Sequence, residues 1–264
     1  MRIAYVQFAP ALADPAETLR RLDELWPQAA SADIVVLPEL SNSGYNFESR
    51  EQAFGAAEPA AGGPFTEYLT RVCRTWDFHV VAGLNELSEG QLFNSSVLVG
   101  PNGLEGVYRK LHLFWNEKDL FQPGDLGVPV FEVRGLRLAM LICFDWAFPE
   151  VWRLLALQAV DLVCHPCNLV LPGFAQRAIP GYALTNRYYV VTANRFGSER
   201  DLKFTGLSQI SSPHGLVLSS APADSPCVHV VDADLSLCRL GQITPRNHLL
   251  EDRRPDVYQS LSVF

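Results

Sequence analysis

The sequence predicts an α/β domain in which two β-sheets pack together and helices cover their outer faces. Short segments rich in Val, Ile and Leu alternate with helical segments over much of the 264-residue chain. Residues 34–37 and 138–142 are continuously apolar, as strands buried on both faces usually are. The later apolar segments have shorter connections, which are typical of hairpins.

The predicted elements begin with a strand at residues 3–8 and a helix at 15–29. Asp14 provides an N-cap and Pro15 a first-turn proline for this helix. Further helices are predicted at 66–76, 149–157 and 175–186, and Pro149 is typical of a first turn. The remaining strands are predicted at residues 34–37, 79–84, 95–99, 106–108, 138–142, 162–164, 189–193, 208–211, 216–219 and 227–232.

The composition is that of a globular chain, with 48% apolar and 19% charged residues. A disordered chain would be poorer in apolar and richer in charged residues. The length allows one large domain or two of about 130 residues. Because no Pro- or Gly-rich linker divides the chain, we predict a single domain over residues 1–264.

The charge balance and hydropathy exclude several partners. The chain has 21 basic and 29 acidic residues, a formal charge of −8, so it lacks the basic character of a nucleic-acid-binding protein. No run of about 18 apolar residues predicts a membrane span. The N-terminus is typical of a strand rather than of a signal peptide. Six cysteines are then expected as reduced thiols in the cytoplasm.

Cys164 and Cys167 have the C-x-x-C spacing of redox and metal sites. A zinc site would need a second ligand pair at this spacing, which Cys227 and Cys238 do not provide. Two interpretations stay open: a metal or redox pair, or two small apolar side chains at a strand end, and the second is favoured. We therefore predict no metal at this pair, and the reaction expected below needs neither a metal nor an organic cofactor.

Three predicted strands are followed by groups suited to acyl chemistry: Glu39, Lys110 and Cys143. Functional groups of α/β sheets gather beyond the carboxyl ends of strands. A thiol has a pKa of about 8.5 and needs a base or a nearby cation to become a good nucleophile. Glu39 is a candidate base, and Lys110 a candidate partner for the thiolate and for an oxyanion. Taken alone, each residue can also be explained without a catalytic role, as a core cysteine or as a solvated surface charge.

The sequence around these residues resembles the nitrilase, or carbon–nitrogen hydrolase, superfamily in three motifs that occur in the family's order. The resemblance extends from residue 2 to about 258 and is strongest toward a microbial branch of amidase- or nitrilase-like proteins. The matching segments are L-P-E-L at 37–40 with G-Y at 44–45, Y-R-K-L-H-L-F at 108–114 with F-Q-P-G at 121–124, and L-I-C-F-D-W-A-F-P-E at 141–150.

The resemblance implies a four-layer α-β-β-α sandwich and a catalytic triad of Glu39, Lys110 and Cys143. It also implies a second glutamate, Glu117, which either contacts the substrate or orients Lys110. Proteins of the family usually pair through helices beside the nucleophile. A homodimer or larger homo-oligomer is therefore expected, with the tail from about residue 240 to 264 in subunit contacts.

The substrate pocket is harder to predict than the triad. The N–H of Phe144 is a candidate oxyanion donor, because it follows the nucleophile at a strand-to-helix turn. Trp146 and Phe148 are candidates for an apolar wall or for plain core packing. Asn168 is a candidate hydrogen-bond partner of the substrate, and Tyr45 a further binding candidate. The possible carboxylate clamps, which are better explained as structural or interface charges, are Arg177, Arg187 and Arg195.

By resemblance, the expected reaction is hydrolysis of a small aliphatic or ω-amidic amide to a carboxylic acid and ammonia through a thioester on Cys143. No cation follows the nucleophile closely, unlike in many relatives that hydrolyse N-carbamoyl amino acids. The C-F-D sequence also differs from the C-W-E of many nitrilases. The alternatives are a nitrilase acting on small aliphatic nitriles and a non-catalytic protein that binds a metabolite. An acyltransferase is a third, although those relatives generally carry membrane segments.

Overall fold

The computed structural model describes residues 1–262 and confirms the predicted α/β class. Two six-stranded sheets pack face to face, and helices cover both outer faces, which makes four layers in the order α-β-β-α. In the part of the chain described here, no helix combines the length and apolar character needed to cross a membrane.

The strands are short to medium in length and number sixteen in the described residues. They are β1 (Arg2–Gln7), β2 (Ile34–Val36), β3 (His79–Ser88), β4 (Gln91–Gly100), β5 (Gly103–Arg109), β6 (Val130–Val133), β7 (Leu136–Met140), β8 (Leu162–Pro166), β9 (Tyr189–Ala193), β10 (Ser198–Glu199), β11 (Leu202–Lys203), β12 (Gln209–Ser211), β13 (Val217–Ser220), β14 (Cys227–Asp232), β15 (Gln242–Thr244) and β16 (Asn247–His248).

The α-helices are α1 (Pro15–Asp23), α2 (Trp26–Ala29), α3 (Arg50–Gly55), α4 (Pro64–Trp76), α5 (Glu117–Leu120), α6 (Pro149–Leu157), α7 (Phe174–Asn186) and α8 (Pro255–Tyr258). Three 3₁₀-helices lie at Cys143–Ala147, Leu235–Leu237 and Gln259–Ser262.

The first sheet has the strand order β14-β1-β2-β3-β4-β5 and the second the order β13-β12-β9-β8-β7-β6. Strands β1 to β3 pair in parallel in the first sheet, and β7 to β9 in the second. Strand β5 is antiparallel to β4, which is antiparallel to β3, so β5 runs in the same direction as β2. The segments that follow β2 and β5, which carry Glu39 and Lys110, therefore start from the carboxyl ends of strands that point in the same direction.

Side-chain alternation explains why the strands of the first sheet are apolar on both faces. In β1, Ile3 and Tyr5 belong to the core between the two sheets, whereas Ala4 and Val6 pack with the side chains of α1, α2 and α4. A strand buried between two layers cannot spare a polar face. The helices α6 and α7 cover the second sheet in the same way.

The structure corrects the prediction in several places. The single helix predicted at 15–29 is wrong: α1 ends at Asp23 and α2 begins at Trp26. Pro27 has no N–H to donate to Asp23, so the helix cannot continue regularly through it. Several short elements were also not predicted, because they are neither continuously apolar nor long enough to show a period. They are α3, α5, α8, β6, β10, β11, β15 and β16.

Candidate active site

Cys143 lies at a sharp turn between β7 and α6. Its φ of +41° is in the left-handed region, which is uncommon for a residue other than glycine. The backbone then continues as the 3₁₀-helix Cys143–Ala147, which precedes the predicted helix start at Pro149. Backbone strain of this kind persists only where the surroundings hold it in place.

Asp145 provides that support. Its Oδ2 accepts hydrogen bonds from the Ile142 N–H at 2.8 Å and from the Tyr108 hydroxyl at 2.7 Å. Its Oδ1 lies 2.7 Å from Nδ1 of His112. Because Tyr108 is on β5 of the first sheet, Asp145 joins the cysteine turn of the second sheet to the first. Asp145 belongs to the motif at residues 141–150, but the sequence alone assigned it no role.

Lys110 is the centre of a buried charged cluster. Its Nζ donates to Oε1 of Glu39 and to Oε1 of Glu117, both at 2.7 Å. Burial by itself lowers the pKa of Lys110, but the negative charges of Glu117 and Glu39 outweigh burial and raise that pKa well above its ordinary value. Lys110 is therefore a cation at neutral pH although solvent does not reach its side chain.

The two carboxylates differ in how completely they are bonded. Oε1 of Glu117 accepts from the Tyr45 hydroxyl at 2.7 Å, and Oε2 accepts from the Phe114 N–H at 3.2 Å. Oε1 of Glu39 accepts from Nδ2 of Asn94 at 2.7 Å. Oε2 of Glu39 is buried and has no hydrogen-bond partner in the part of the chain that the structure describes. Glu39 thus keeps one acceptor available, whereas Glu117 does not.

The same charged groups act on Cys143. A hydrogen bond from the Cys167 thiol lowers the pKa of Cys143, but burial and the negative charges of Glu39 and Glu117 outweigh it, so the pKa is raised above its ordinary value. The resting thiol is therefore protonated at neutral pH. It requires a base before it can act as a nucleophile, and the unpaired oxygen of Glu39 is suited to that task.

His165 supports Cys143 from the neighbouring strand β8. Its Nε2 lies 3.0 Å from the carbonyl oxygen of Cys143. Since a carbonyl oxygen can only accept, Nε2 carries the proton. Burial lowers the pKa of His165 to about 4, so the ring is neutral at neutral pH. Sequence reasoning did not find this role, because nothing in the sequence separates a supporting histidine from one in the core.

Asn168 connects the two sheets directly. Its Nδ2 donates to the main-chain oxygen of Glu39 at 2.9 Å. Its Oδ1 is buried and, within residues 1–262, has no hydrogen-bond partner. The amide nitrogen of Asn168 thus holds the main chain at Glu39 in position, and its amide oxygen is an acceptor that no described residue uses.

Cys143 opens into a small apolar pocket of about 250 Å³, including its open mouth. Three of the predicted substrate-binding residues, Phe144, Trp146 and Asn168, line it. Tyr45 and Glu117 instead bond to each other behind Lys110. Phe148 stacks on His112 with ring centroids 3.6 Å apart. The complete lining is Phe114, Cys143, Phe144, Trp146, Asn168, Leu169, Val170 and Leu171.

The three candidate arginine clamps have other partners. Arg177 lies over the ring of Phe174 at 5.4 Å, and Arg187 donates to the main-chain oxygen of Pro213 at 3.0 Å. Arg195 forms a buried ion pair with a carboxylate of the same chain. This agrees with the interpretation of these arginines as structural charges.

The partner of Arg195 is Glu199, which holds the turn that carries Tyr45. Oε2 of Glu199 accepts the N–H groups of Tyr45 at 3.0 Å and Asn46 at 2.8 Å. Gly44 precedes them with a φ of +77°, and a Cβ there would lie 2.7 Å from Glu199 Oε1. The buried ion pair therefore positions Tyr45, whose hydroxyl bonds to Glu117.

A thiol, a carboxylate with an open oxygen and a buried ammonium group around an apolar pocket are the groups that acyl transfer through a thioester requires. These groups define a class of cysteine-dependent hydrolase. The chain belongs to the carbon–nitrogen hydrolase family, whose sequence model matches residues 2–242. It is therefore an enzyme of that family.

Relatives of known name support this assignment over the whole chain. A nitrilase of Pyrococcus abyssi is 45% identical over 260 residues, which covers 98% of this chain and 99% of the relative. An (R)-stereoselective amidase of Pseudomonas sp. is 37% identical over 259 residues, covering 96% and 92% of the two chains. Both names describe hydrolases of carbon–nitrogen bonds.

A solved structure gives the same fold. The amidase of Nesterenkonia sp. is 27% identical, with a TM-score of 0.81, and covers 99% of this chain and 96% of its own. A variant of that amidase, similar at 26% identity and a TM-score of 0.81, carries acrylamide added to its active-site cysteine, and the comparison covers 99% of each chain. The four-layer sandwich implied by the sequence motifs is thereby confirmed.

Proposed function

We propose that the protein hydrolyses small amides with uncharged acyl groups, releasing ammonia and a carboxylic acid. One observation carries this choice. Two buried acceptors beside the nucleophile, Oε2 of Glu39 and Oδ1 of Asn168, lack a hydrogen-bond partner among the described residues. A buried acceptor without a donor costs about 1–3 kcal/mol. The NH₂ group of a primary amide has two donors to offer, whereas a nitrile has none.

In the first step, Cys143 attacks the carbonyl carbon and Glu39 accepts the thiol proton on Oε2. This assignment uses the one open carboxylate oxygen and explains why a thiol with a raised pKa can react. The oxyanion that forms is stabilised by Lys110 and by the N–H of Phe144. Each such donor contributes about 2.7–4 kcal/mol to lowering a barrier of this type.

In the second step, the tetrahedral intermediate collapses and the carbon–nitrogen bond breaks. Glu39 returns its proton to the departing ammonia, which leaves a thioester on Cys143. Glu39 then takes a proton from water, the resulting hydroxide attacks the thioester, and the acid and the free thiol are released. Glu117 orients Lys110 and does not touch the substrate, because both its oxygens are already bonded within the protein.

The pocket lining supports an uncharged acyl group. Within residues 1–262, no charged side chain is among the residues that line it. An ω-carboxylate would lose its hydration there without gaining an ion-pair partner, which is costly. Small aliphatic amides are therefore preferred over ω-amidic ones, and butyramide is a suitable probe.

A nitrilase is the second candidate, supported by the name of the Pyrococcus abyssi relative. Ammonia release from butyramide and butyronitrile, measured at equal concentrations, separates the two. We expect faster release from the amide and no release from either compound with Cys143→Ala. Faster release from the nitrile would replace the amidase proposal, and no release from any amide or nitrile would leave a protein that only binds.

We also propose that residues 1–264 form one domain and that two copies of it pair as a homodimer. The support is an apolar groove of about 2010 Å³, including its open mouth, between α6, α7 and the C-terminal segment. Its lining includes the exposed side chains of Leu154, Leu157, Ile243 and Leu261, which a monomer would leave in water. Sedimentation velocity should show a dimer, and Leu157→Glu should produce monomers. A wild-type monomer would contradict this proposal.

We further propose a reducing compartment, the cytoplasm. All six cysteines are free, and five of them are buried. Free thiols persist where cellular reductants keep them reduced. A fusion to a fluorescent protein, followed by cell fractionation, should place the protein in the cytoplasmic fraction; recovery outside it would contradict the proposal.

A further inference from the structure

A second thiol lies directly beside the nucleophile. Strands β7 and β8 pair in parallel with Met140 opposite Cys164, and Cys143 and Cys167 each lie three residues further along. Both cysteines contact His165, whose Nε2 lies 3.0 Å from the carbonyl oxygen of Cys143 and 3.4 Å from the sulfur of Cys167. Because the two cysteines meet the same imidazole nitrogen, the Cys167 thiol is close enough to act on the pKa of Cys143.

The two thiols differ in access. Cys143 lines the pocket and retains 5% of its surface, whereas Cys167 has none. The other close contacts of the Cys167 sulfur are to His165, with Nδ1 at 3.3 Å and the main-chain oxygen at 3.4 Å. A small solute that enters the pocket therefore meets Cys143 first, and only Cys143 can present a reaction product to Cys167.

We propose that Cys143 and Cys167 form an oxidative modification site, in which hydrogen peroxide oxidises Cys143 and Cys167 closes a disulfide that thiol reductants reopen. The thiolate that this reaction needs forms as in hydrolysis, when Glu39 accepts the thiol proton, and Lys110 stabilises it. Formation of the disulfide would protect the nucleophile from irreversible oxidation while turning the enzyme off. The proposal rests on Cys143 being the reactive thiol of the proposed hydrolase.

The chemistry balances in two steps. The Cys143 thiolate attacks one peroxide oxygen, the O–O bond breaks, and a sulfenic acid and hydroxide result. Cys167 then attacks the Cys143 sulfur, the S–O bond breaks, and the hydroxyl leaves with the Cys167 proton as water. In total, two thiols lose two electrons, and one peroxide becomes two molecules of water. Dithiothreitol returns both electrons by thiol–disulfide exchange.

The test treats the purified full chain with a small excess of hydrogen peroxide and then blocks the remaining thiols with iodoacetamide. Mass spectrometry of a non-reduced digest should find peptides containing Cys143 and Cys167 joined and lighter by two hydrogens. Butyramide hydrolysis should be lost and then almost fully recovered after dithiothreitol. The cross-linked peptide is detected whether or not the protein hydrolyses amides, so failure of the proposed function would be seen separately.

Three variants complete the test. Cys167→Ala and Cys167→Ser, each compared with its own untreated activity, should lose recoverable activity and accumulate sulfinic acid on Cys143. Serine keeps a hydrogen-bond donor but cannot form the disulfide. If both Cys167 variants lose recoverable activity, the loss is therefore due to the missing sulfur and not to a missing hydrogen bond. Cys164→Ala, which removes a buried thiol from β8 three residues before Cys167, should behave as wild type. An unlinked Cys143 in the wild type, or equal recovery in the Cys167 variants, would overturn the proposal.

Discussion

The two sheets contribute groups of different electrical character to the candidate active site. The first sheet provides charges: Lys110 bonds at 2.7 Å to both Glu39 and Glu117, and solvent reaches none of the three appreciably. The second sheet provides neutral groups: the thiols of Cys143 and Cys167, the imidazole of His165 and the amide of Asn168. We call these the charged half and the neutral half of the site; Asp145 of the second sheet holds the cysteine turn and is not among the residues that line the pocket.

The difference shows when a buried group can stay ionised. A charge removed from water is tolerated where opposite charges and hydrogen bonds surround it, as they surround Lys110. His165 has no carboxylate bonded to its ring, and burial keeps it neutral. The charged half is therefore suited to moving protons and stabilising an oxyanion, and the neutral half to attack and to shaping the substrate.

The largest expected effect comes from removing the nucleophile. Cys143→Ala should lower kcat for butyramide by about 10⁴-fold or more, because no other group in the pocket can form the acyl intermediate. Ammonia release measures the loss. Cys164→Ala removes a buried thiol from the same sheet and should keep most of its activity. Near-normal turnover by Cys143→Ala would place the reaction elsewhere.

Removing the proposed base from the charged half should have the next largest effect. Glu39→Gln keeps the shape of the side chain and leaves Lys110 paired with Glu117, so the fold should persist. We expect kcat to fall by about 10²–10⁴-fold, the usual contribution of general acid–base catalysis. The exposed Glu51→Gln is the control. Equal activities of the two variants would assign proton transfer to another group.

His165, in the neutral half, should make the free energy of unfolding depend on pH. In the unfolded chain His165 titrates near 6.5, but in the folded chain its pKa is about 4. Between these values the unfolded state binds the additional proton, so the free energy of unfolding falls as pH falls from about 6.5 to 4, by up to about 3 kcal/mol. Urea unfolding at several pH values measures this slope.

His165→Gln should remove the part of the slope that His165 contributes, even if it also lowers stability at neutral pH. The exposed His214→Gln is the matched control and should leave the slope as in the wild type. Identical slopes in the wild type and His165→Gln would show that His165 is not held neutral by the fold.

The smallest expected effect concerns the apolar wall. Trp146→Ala should enlarge the pocket and raise the ratio of kcat/KM for hexanamide to that for butyramide by about 10-fold, since a methylene in an apolar pocket is worth about 1–3 kcal/mol. Trp115→Ala, at a residue that is 54% exposed, is the control. An unchanged ratio would place the acyl chain away from Trp146.

Local sequence patterns predicted most of the fold. Continuous apolar segments predicted β2 and β7 because strands between two layers need apolar side chains on both faces. Pro149 predicted the start of α6. The same reasoning failed at residues 15–29, where Pro27 interrupts the helix, and at the shortest elements, where too few residues are present to show a period.

The sequence by itself determined the class, the layer architecture and the candidate groups Glu39, Lys110 and Cys143, since each follows a buried strand within a recognisable motif. Only the tertiary structure showed that Asp145 holds the cysteine turn, that Glu199 holds the turn of Tyr45, and that Cys167 and Cys143 meet at His165. The physical reason is distance: strand patterns depend on neighbours in the chain, whereas ionisation, hydrogen bonding and sulfur contacts depend on neighbours in space. Residues as far apart as 39 and 168 become partners only when the sheets pack.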